Sequence, residues 1–250
     1  MSLMLFSCTN YFGHVSVDVE NETEKDAYSH TDPPPAVMKL LSSVFASTIL
    51  AVSAENPFDA PKFCHDLDCP SFSTRTVDNG AEVRDYDALQ WASTVVETDS
   101  ATDAGSIAFQ RLFGYISGAN EDSQKIDMTA PVLNYIQPGA GPNCNSTFVV
   151  SFFVPWVYQT EEGPPKPTSD DVYIETKELG EFAVSSFGGF ANDQDMVQEA
   201  VALTSDIDES KEIDFSDDAA MGNYYFVAYD SPYTLMNRHN EDWIGVKHMA

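Results

Sequence analysis

Cysteines, histidines and carboxylates are the side chains whose types and spacing could do chemistry in this chain, and each group meets an obstacle. Cys64-His65-Asp66-Leu67-Asp68-Cys69 carries metal-ligand residue types. A structural zinc site wants four ligands in two tight pairs, however, and in an oxidising compartment thiols tend to bridge. Asp206, Asp208, Ser210, Glu212 and Asp217 imitate the ligand positions of a calcium loop. Lys211 stands where the sharp turn of that loop needs glycine, and Asp217 is shorter than the usual bidentate Glu, so no metal site is expected. The sequence holds no Gly-rich phosphate loop, Gly-x-Ser-x-Gly elbow or His-Glu-x-x-His motif. Beyond residue 54 the histidines are His65, His239 and His248, none paired in sequence with an obvious nucleophile. A hydrolytic site would need a carboxylate such as Glu175 or Glu241 in a pocket that raises its pKa. No catalytic residue is assigned.

The elements that would position these groups follow from periodicity. Asp99 or Ser100 can cap a first amphipathic helix, with Asp103 near its positive end and Ala104, Ile107, Ala108, Leu112 and Ile116 on one face. Asn192, with Asp195 three residues on, opens a second, whose stripe is Met196, Ala200, Leu203 and Ile207. Paired strands are expected at 82–86 and 89–97 before the first helix, and at 125–136 and 146–154 after it. The latter two form a hairpin, with Ile126, Met128, Ala130 and Val132 pointing one way, and Pro131 belongs at an edge or bulge. Strands at 171–176 and 181–187 precede the second helix, and 223–229 and 242–246 follow it. The order is ββαββ twice, which makes an α+β fold of two pseudo-repeats, a mainly antiparallel sheet or distorted barrel with two packed helices. Pro164-Pro165-Lys166-Pro167 reads as the linker between halves, and 206–218, with seven carboxylates and one lysine, as a solvated loop. Trp91 and Trp243 read as core aromatics. Arg238 and Glu241 read as surface or edge-strand pairs worth little. The glycines of Phe187-Gly188-Gly189-Phe190 serve a tight turn with positive φ.

A chain of 250 residues with 43% hydrophobic content can bury one good core. Its 12 basic and 40 acidic residues give a formal net charge of −28, which speaks against nucleic acid or an anionic membrane as partner. Met38-Lys39 opens an apolar run ending in Val52-Ser53-Ala54, the pattern of a secretory signal peptide and too short to span a bilayer. The expected organisation is therefore an upstream or artefactual segment at 1–37, a signal peptide at 38–54, an arm at 55–68 and a domain at 69–250. A secreted or secretory-lumen protein, without membrane insertion, follows. Asn145 of Asn145-Ser146-Thr147 is a glycosylation acceptor in a turn. Cys64, Cys69 and Cys144 are the disulfide candidates beyond residue 54, an odd count that permits one bridge and leaves one thiol, with connectivity open.

Several ordered motifs resemble one family. Cys69-Pro70, Glu82-Val83-Arg84-Asp85-Tyr86, Trp91-Ala92-Ser93-Thr94, Gly114-Tyr115-Ile116-Ser117-Gly118-Ala119-Asn120-Glu121, Lys125 to Val132, Val184 to Ala191 and Asn237 to Ile244 together resemble the SOUL haem-binding family. The resemblance implies a single α+β domain with an internal pseudo-repeat. It also implies haem or another tetrapyrrole held in an open apolar cleft along the first helix, with basic side chains reaching the propionates. Phe109, Arg111, Leu112 and Phe113 are the residues offered for that role, Arg111 being the helix's one cation. Helical stripes are usually packing, and core is the competing reading for each apolar one. The histidine that ligates haem in one branch of the family falls at Asp78, a poor substitute for imidazole. Haem binding is thus expected to be weak, without strong axial ligation, by a non-enzymatic carrier, buffer or scavenger. The alternatives are a protein-interaction module with the same fold, its partner unknown, or a small-molecule hydrolase.

Overall fold

Side chains that accept backbone N–H groups fix where both long helices start. The computed structural model describes residues 60–141 and 144–249. Helix α1, Ala101–Ile116, begins at Ser100, whose hydroxyl accepts from the Asp103 amide. Helix α2, Asp193–Glu209, begins with a full capping box. The Asn192 side chain accepts from the Gln194 and Asp195 amides, and the Asp195 carboxylate accepts from the Asn192 amide. Met196, Ala200, Leu203 and Ile207 are all buried as the stripe predicts. On α1, Ala104, Ala108, Leu112 and Ile116 are buried, but Ile107 is 42% exposed and Tyr115 takes an inward place instead.

Ten strands complete the domain. They are β1 Phe72–Thr76, β2 Glu82–Tyr86, β3 Leu89–Thr98, β4 Val132–Gln137, β5 Ser146–Phe153, β6 Tyr173–Lys177, β7 Gly180–Phe187, β8 Ile213–Phe215, β9 Tyr224–Ala228 and β10 Asn240–His248. All pair antiparallel in one curled sheet, in the order β1-β2-β7-β10-β9-β4-β5-β3-β6, with β8 on β10. The repeats exchange strands. Consecutive β2 and β3 do not pair with each other but with β7 and β6, so each half lends its first strand to the other. The expectation that 82–86 pairs with 89–97 is corrected here, because Asp87-Ala88 carries the chain round a corner rather than through a hairpin.

Three further expectations change. The alternation from residue 125 holds only in part, since Ile126 and Ala130 are buried but so is Thr129, whose hydroxyl donates to Phe153 O at 2.7 Å, and only Val132 onward is strand. The stretch before it hangs on single bonds such as Ile126 N–H to Ile116 O at 2.8 Å and Ala130 N–H to Asp68 O at 3.0 Å. Pro131 sits just outside β4, where its missing donor costs nothing. Residues 206–218 are not a solvated loop, since they hold the last turn of α2, β8 and the buried Ile207 and Ile213. The Pro-rich linker is tied to the end of α1, with the Tyr115 hydroxyl donating to Pro165 O at 2.8 Å and the Glu121 amide to Lys166 O at 2.9 Å.

The sheet is apolar on both faces. One face, with Ala92, Phe148, Val150, Phe152, Ala183 and Ile244, is covered by the helices, α1 over β3 and β5, α2 over β7 and β10. The other carries Trp91, Leu133, Phe153, Val227 and Trp243, and meets the arm around Phe63, Cys64, Leu67 and Cys69. Trp91 and Trp243 are both fully buried. Cys64 bonds to Cys69, and no cysteine among the described residues is free. The leftover thiol expected from the odd count is therefore absent from them. The signal-peptide run at 38–54 and the segment before it lie outside the described residues.

Candidate functional site

The four residues offered for a ligand on α1 divide. Leu112 is fully buried against the sheet and can touch nothing outside it. Phe109 is half-buried, packing edge-on against Phe152 at 5.6 Å, and so anchors its partner Phe113. The two rings stack at 5.5 Å and 13°, leaving Phe113 50% exposed as a flat apolar face on α1. Arg111 is not free to reach outward. Its guanidinium donates to Thr94 Oγ1 at 3.2 Å and Val95 O at 2.9 Å, and lies 3.5 Å from the Asp171 carboxylate. Asp78 is nowhere in this cluster. It sits between β1 and β2 and accepts from the Ser210 hydroxyl at 2.7 Å and the Lys211 amide at 3.2 Å, just past the end of α2. The Ser210 bond, with Lys211 behind it, holds this carboxyl below the usual range.

A cavity of about 370 Å³ opens beside α2. Its walls are Ile136 and Phe148 from the sheet, Met196 and Ala200 from α2, and Tyr224 and Ile244 behind them. Val197 and Val201, 53% and 59% exposed, stand at its edge. Asp99 and Asp193 are its only charged lining residues. None of Phe109, Arg111, Leu112 and Phe113 lines it.

The opposite face holds a polar cluster that the sequence reading misjudged. Glu241 is fully buried and accepts from six donors. They are Arg84 Nη1 at 2.9 Å and Nη2 at 3.0 Å, the Tyr229 hydroxyl at 3.0 Å, Trp243 Nε1 at 2.7 Å, His239 Nε2 at 2.6 Å and the Ser186 hydroxyl at 3.4 Å. The arm closes it, with Phe63 stacked on His239 at 4.3 Å and Arg84 lying over the Phe63 and Phe72 rings. Burial pushes the Glu241 carboxyl up, but His239, Arg84 and Trp243 outweigh it and hold the carboxyl below its ordinary value. Glu241 is therefore no surface pair, because the bidentate arginine lies within the fold. Nor does it fit the hydrolase reading, which needs a raised pKa and an open pocket. Arg238 pairs with no carboxylate among the described residues. Its guanidinium donates to the carbonyls of Ser231, Thr234 and Asp230 and covers Phe190 at 4.7 Å. Glu175 pairs with Lys177 at 2.7 Å.

The adjacent residue behaves oppositely. Asp242 points to the helix face, is fully buried, and neither carboxyl oxygen has a hydrogen-bond partner. Burial, with the Glu199 charge from α2 adding to it, pushes its pKa up to about 8. Alternation along β10 could have placed Asp242 inside, but nothing local marks it as unpartnered. Among the described residues no group of His, Cys, Asp and Glu could hold a metal ion, which includes the 64–69 and 206–217 candidates.

The geometry defines an α+β protein with apolar recesses on the helix-covered side of a curled antiparallel sheet. A family model described as SOUL heme-binding protein matches residues 67–245, and the chain belongs to that family. Heme-binding protein 2 of Homo sapiens is 37% identical over 163 residues, 65% of this chain and 76% of the relative. The Mus musculus protein of the same name is 36% identical over the same shares. Heme-binding protein 1 of Xenopus tropicalis is 31% identical over 65% of this chain and 81% of its own. Among solved structures, the EcmrR C-terminal domain overlays with a TM-score of 0.48 at 6% identity, covering 71% of this chain and 99% of that domain.

Proposed function

We propose that this chain binds haem or a related tetrapyrrole as a secreted, non-enzymatic carrier, buffer or scavenger. Membership of the SOUL family and the names of its relatives supply the ligand class. The observation that carries the site is the half-exposed Phe113 stacked on a Phe109 that the sheet itself holds in place. A flat aromatic pair on a rigid helix offers a macrocycle one face without a conformational cost. Arg111 stands nearby for a propionate, but must first give up Asp171, whose side chain is 59% exposed and yields to solvent. Asp78 lies at the end of α2, engaged with Ser210 and Lys211, so no axial ligand comes from that position. Affinity should therefore be modest and driven by apolar contact.

A haemin titration followed by absorbance tests this, with wild type, Phe113→Ala, Arg111→Ala and an unrelated acidic protein side by side. Saturable one-to-one binding is expected, weakened about tenfold by Phe113→Ala and less by Arg111→Ala. Binding no better than that of the unrelated protein would retire the carrier reading in favour of an interaction module.

A further inference from the structure

The cavity beside α2 is left unused by the tetrapyrrole surface, and its charge suits a different ligand. At about 370 Å³ it has the size of a small-molecule site, within the range of roughly 300 to 1,000 Å³ typical of such pockets. It is also more than a packing defect, since Val197 and Val201, one helical turn apart on α2, expose apolar surface at its edge. Every formal charge in its lining is negative. Asp193 turns one oxygen to the Thr102 amide and hydroxyl, at 3.1 and 2.8 Å, which tacks the start of α2 to the start of α1. Asp99 stands beside it, and no Lys, Arg or His is among the lining residues. Behind the wall lies a carboxyl that burial keeps protonated at neutral pH, so it adds polarity and no formal charge. Asp242 and the wall residue Ile244 share the α2-facing side of β10, and Asp242 has no donor for either oxygen. The Tyr224 phenol, in the wall itself, is raised to about 12 by burial first, then by the charges of Asp242 and Asp193. That places the phenol within electrostatic reach of both.

We propose that this cavity is a binding site for a compact lipophilic cation, distinct from the tetrapyrrole surface on α1. Its apolar walls supply the contact area, and the Asp99 and Asp193 carboxylates at the mouth supply a negative potential that the low-dielectric wall beside them strengthens. The same potential repels a dianionic haem, which separates the two ligands by charge as well as by place. A macrocycle bearing two propionates would meet two aspartates at the opening.

Tetraphenylphosphonium and tetraphenylborate, near-isosteres of opposite charge, provide the test by isothermal titration calorimetry on the intact protein. The phosphonium should bind one to one, with the borate at least about tenfold weaker. Ala200→Phe, which fills the cavity, should remove phosphonium binding. Val201→Lys, at an exposed position that does not threaten folding, should weaken the phosphonium and favour the borate. Haemin titrations of both variants should match wild type, so that loss of one ligand is read independently of the other. Equal affinity for the two ions, or phosphonium binding indifferent to both substitutions, would overturn the proposal. Haemin lost together with phosphonium in Ala200→Phe would overturn the separation of sites, placing haem beside α2 instead of on α1.

Discussion

Neighbouring acids on β10 are set to opposite tasks by the side of the sheet they face. Glu241 finds Arg84, His239, Tyr229 and Trp243, whereas Asp242 finds Glu199 and Tyr224 and no donor. Removing one partner of a buried ion pair strands the other, so Arg84→Met should cost about 3 to 5 kcal/mol in denaturant unfolding. Adding Glu241→Gln should recover part of that, since the amide oxygen still accepts from Trp243 and Tyr229 without a stranded charge. A double variant no more stable than the single would sink this account. Asp242 sets a pH dependence of unusual sign. Its carboxyl ionises near 3.8 when unfolded but holds its proton to about 8 when folded. Between those values the native state keeps a proton that the unfolded state has released, so stability falls as pH rises, by at most about 1.4 kcal/mol per unit. Asp242→Asn removes this dependence. Its melting temperature should gain on wild type from pH 5 to pH 8 and level off above; a constant offset across that range would refute it. Glu241, with its depressed pKa, works the other way and contributes stability that is lost as the solution becomes acid.

At the scale of elements, the helices were legible because their caps and stripes are local. Asn192 and Asp195 announce a capping box within four residues, and the structure contains it. Asn192→Ala should cost about 0.5 to 2 kcal/mol by thermal unfolding, and Asn192→Gly only a few tenths. Comparable losses in both would mean that the side chain does not cap. Ile107 shows the limit of the stripe. It meets the helical spacing, but the curl of the sheet turns Tyr115 inward and leaves Ile107 at the edge. Strand β1 went unread because Phe72-Ser73-Thr74-Arg75-Thr76 is polar after its first residue and buries none fully, and β8 because three residues are too few for alternation to show. Ile213-Asp214-Phe215, moreover, is embedded in carboxylates that read as loop.

The described domain belongs to a chain with an excess of 28 negative charges, and no described helix is long and apolar enough to cross a membrane. A secretory route remains our proposal from the run at 38–54 and the sequon. Asn145 is exposed immediately before β5, where a glycan would project into solvent. Expression in a eukaryotic secretory host should give a protein whose mass falls on amidase deglycosylation, and Asn145→Gln should abolish that fall. Retention of the full-length chain inside the cell, unglycosylated, would contradict it.

What the sequence by itself determined is whatever depends on neighbours along the chain. That covers both helices and their caps, eight of the ten strands within several residues, the α+β class, the buried tryptophans and the family-bearing motifs. Tertiary structure alone decided the rest. It exchanged strands between the halves, because partners as far apart in the chain as Glu82 and Val184, or Leu89 and Lys177, leave no local signature. It turned Glu241 from a surface residue into the centre of a sealed network by bringing Arg84, 157 residues away, against it. It joined Cys64 to Cys69, and it opened an apolar recess beside α2, where the sequence had looked only to α1. A cavity is the space that several elements fail to fill together, and no one of their sequences contains it.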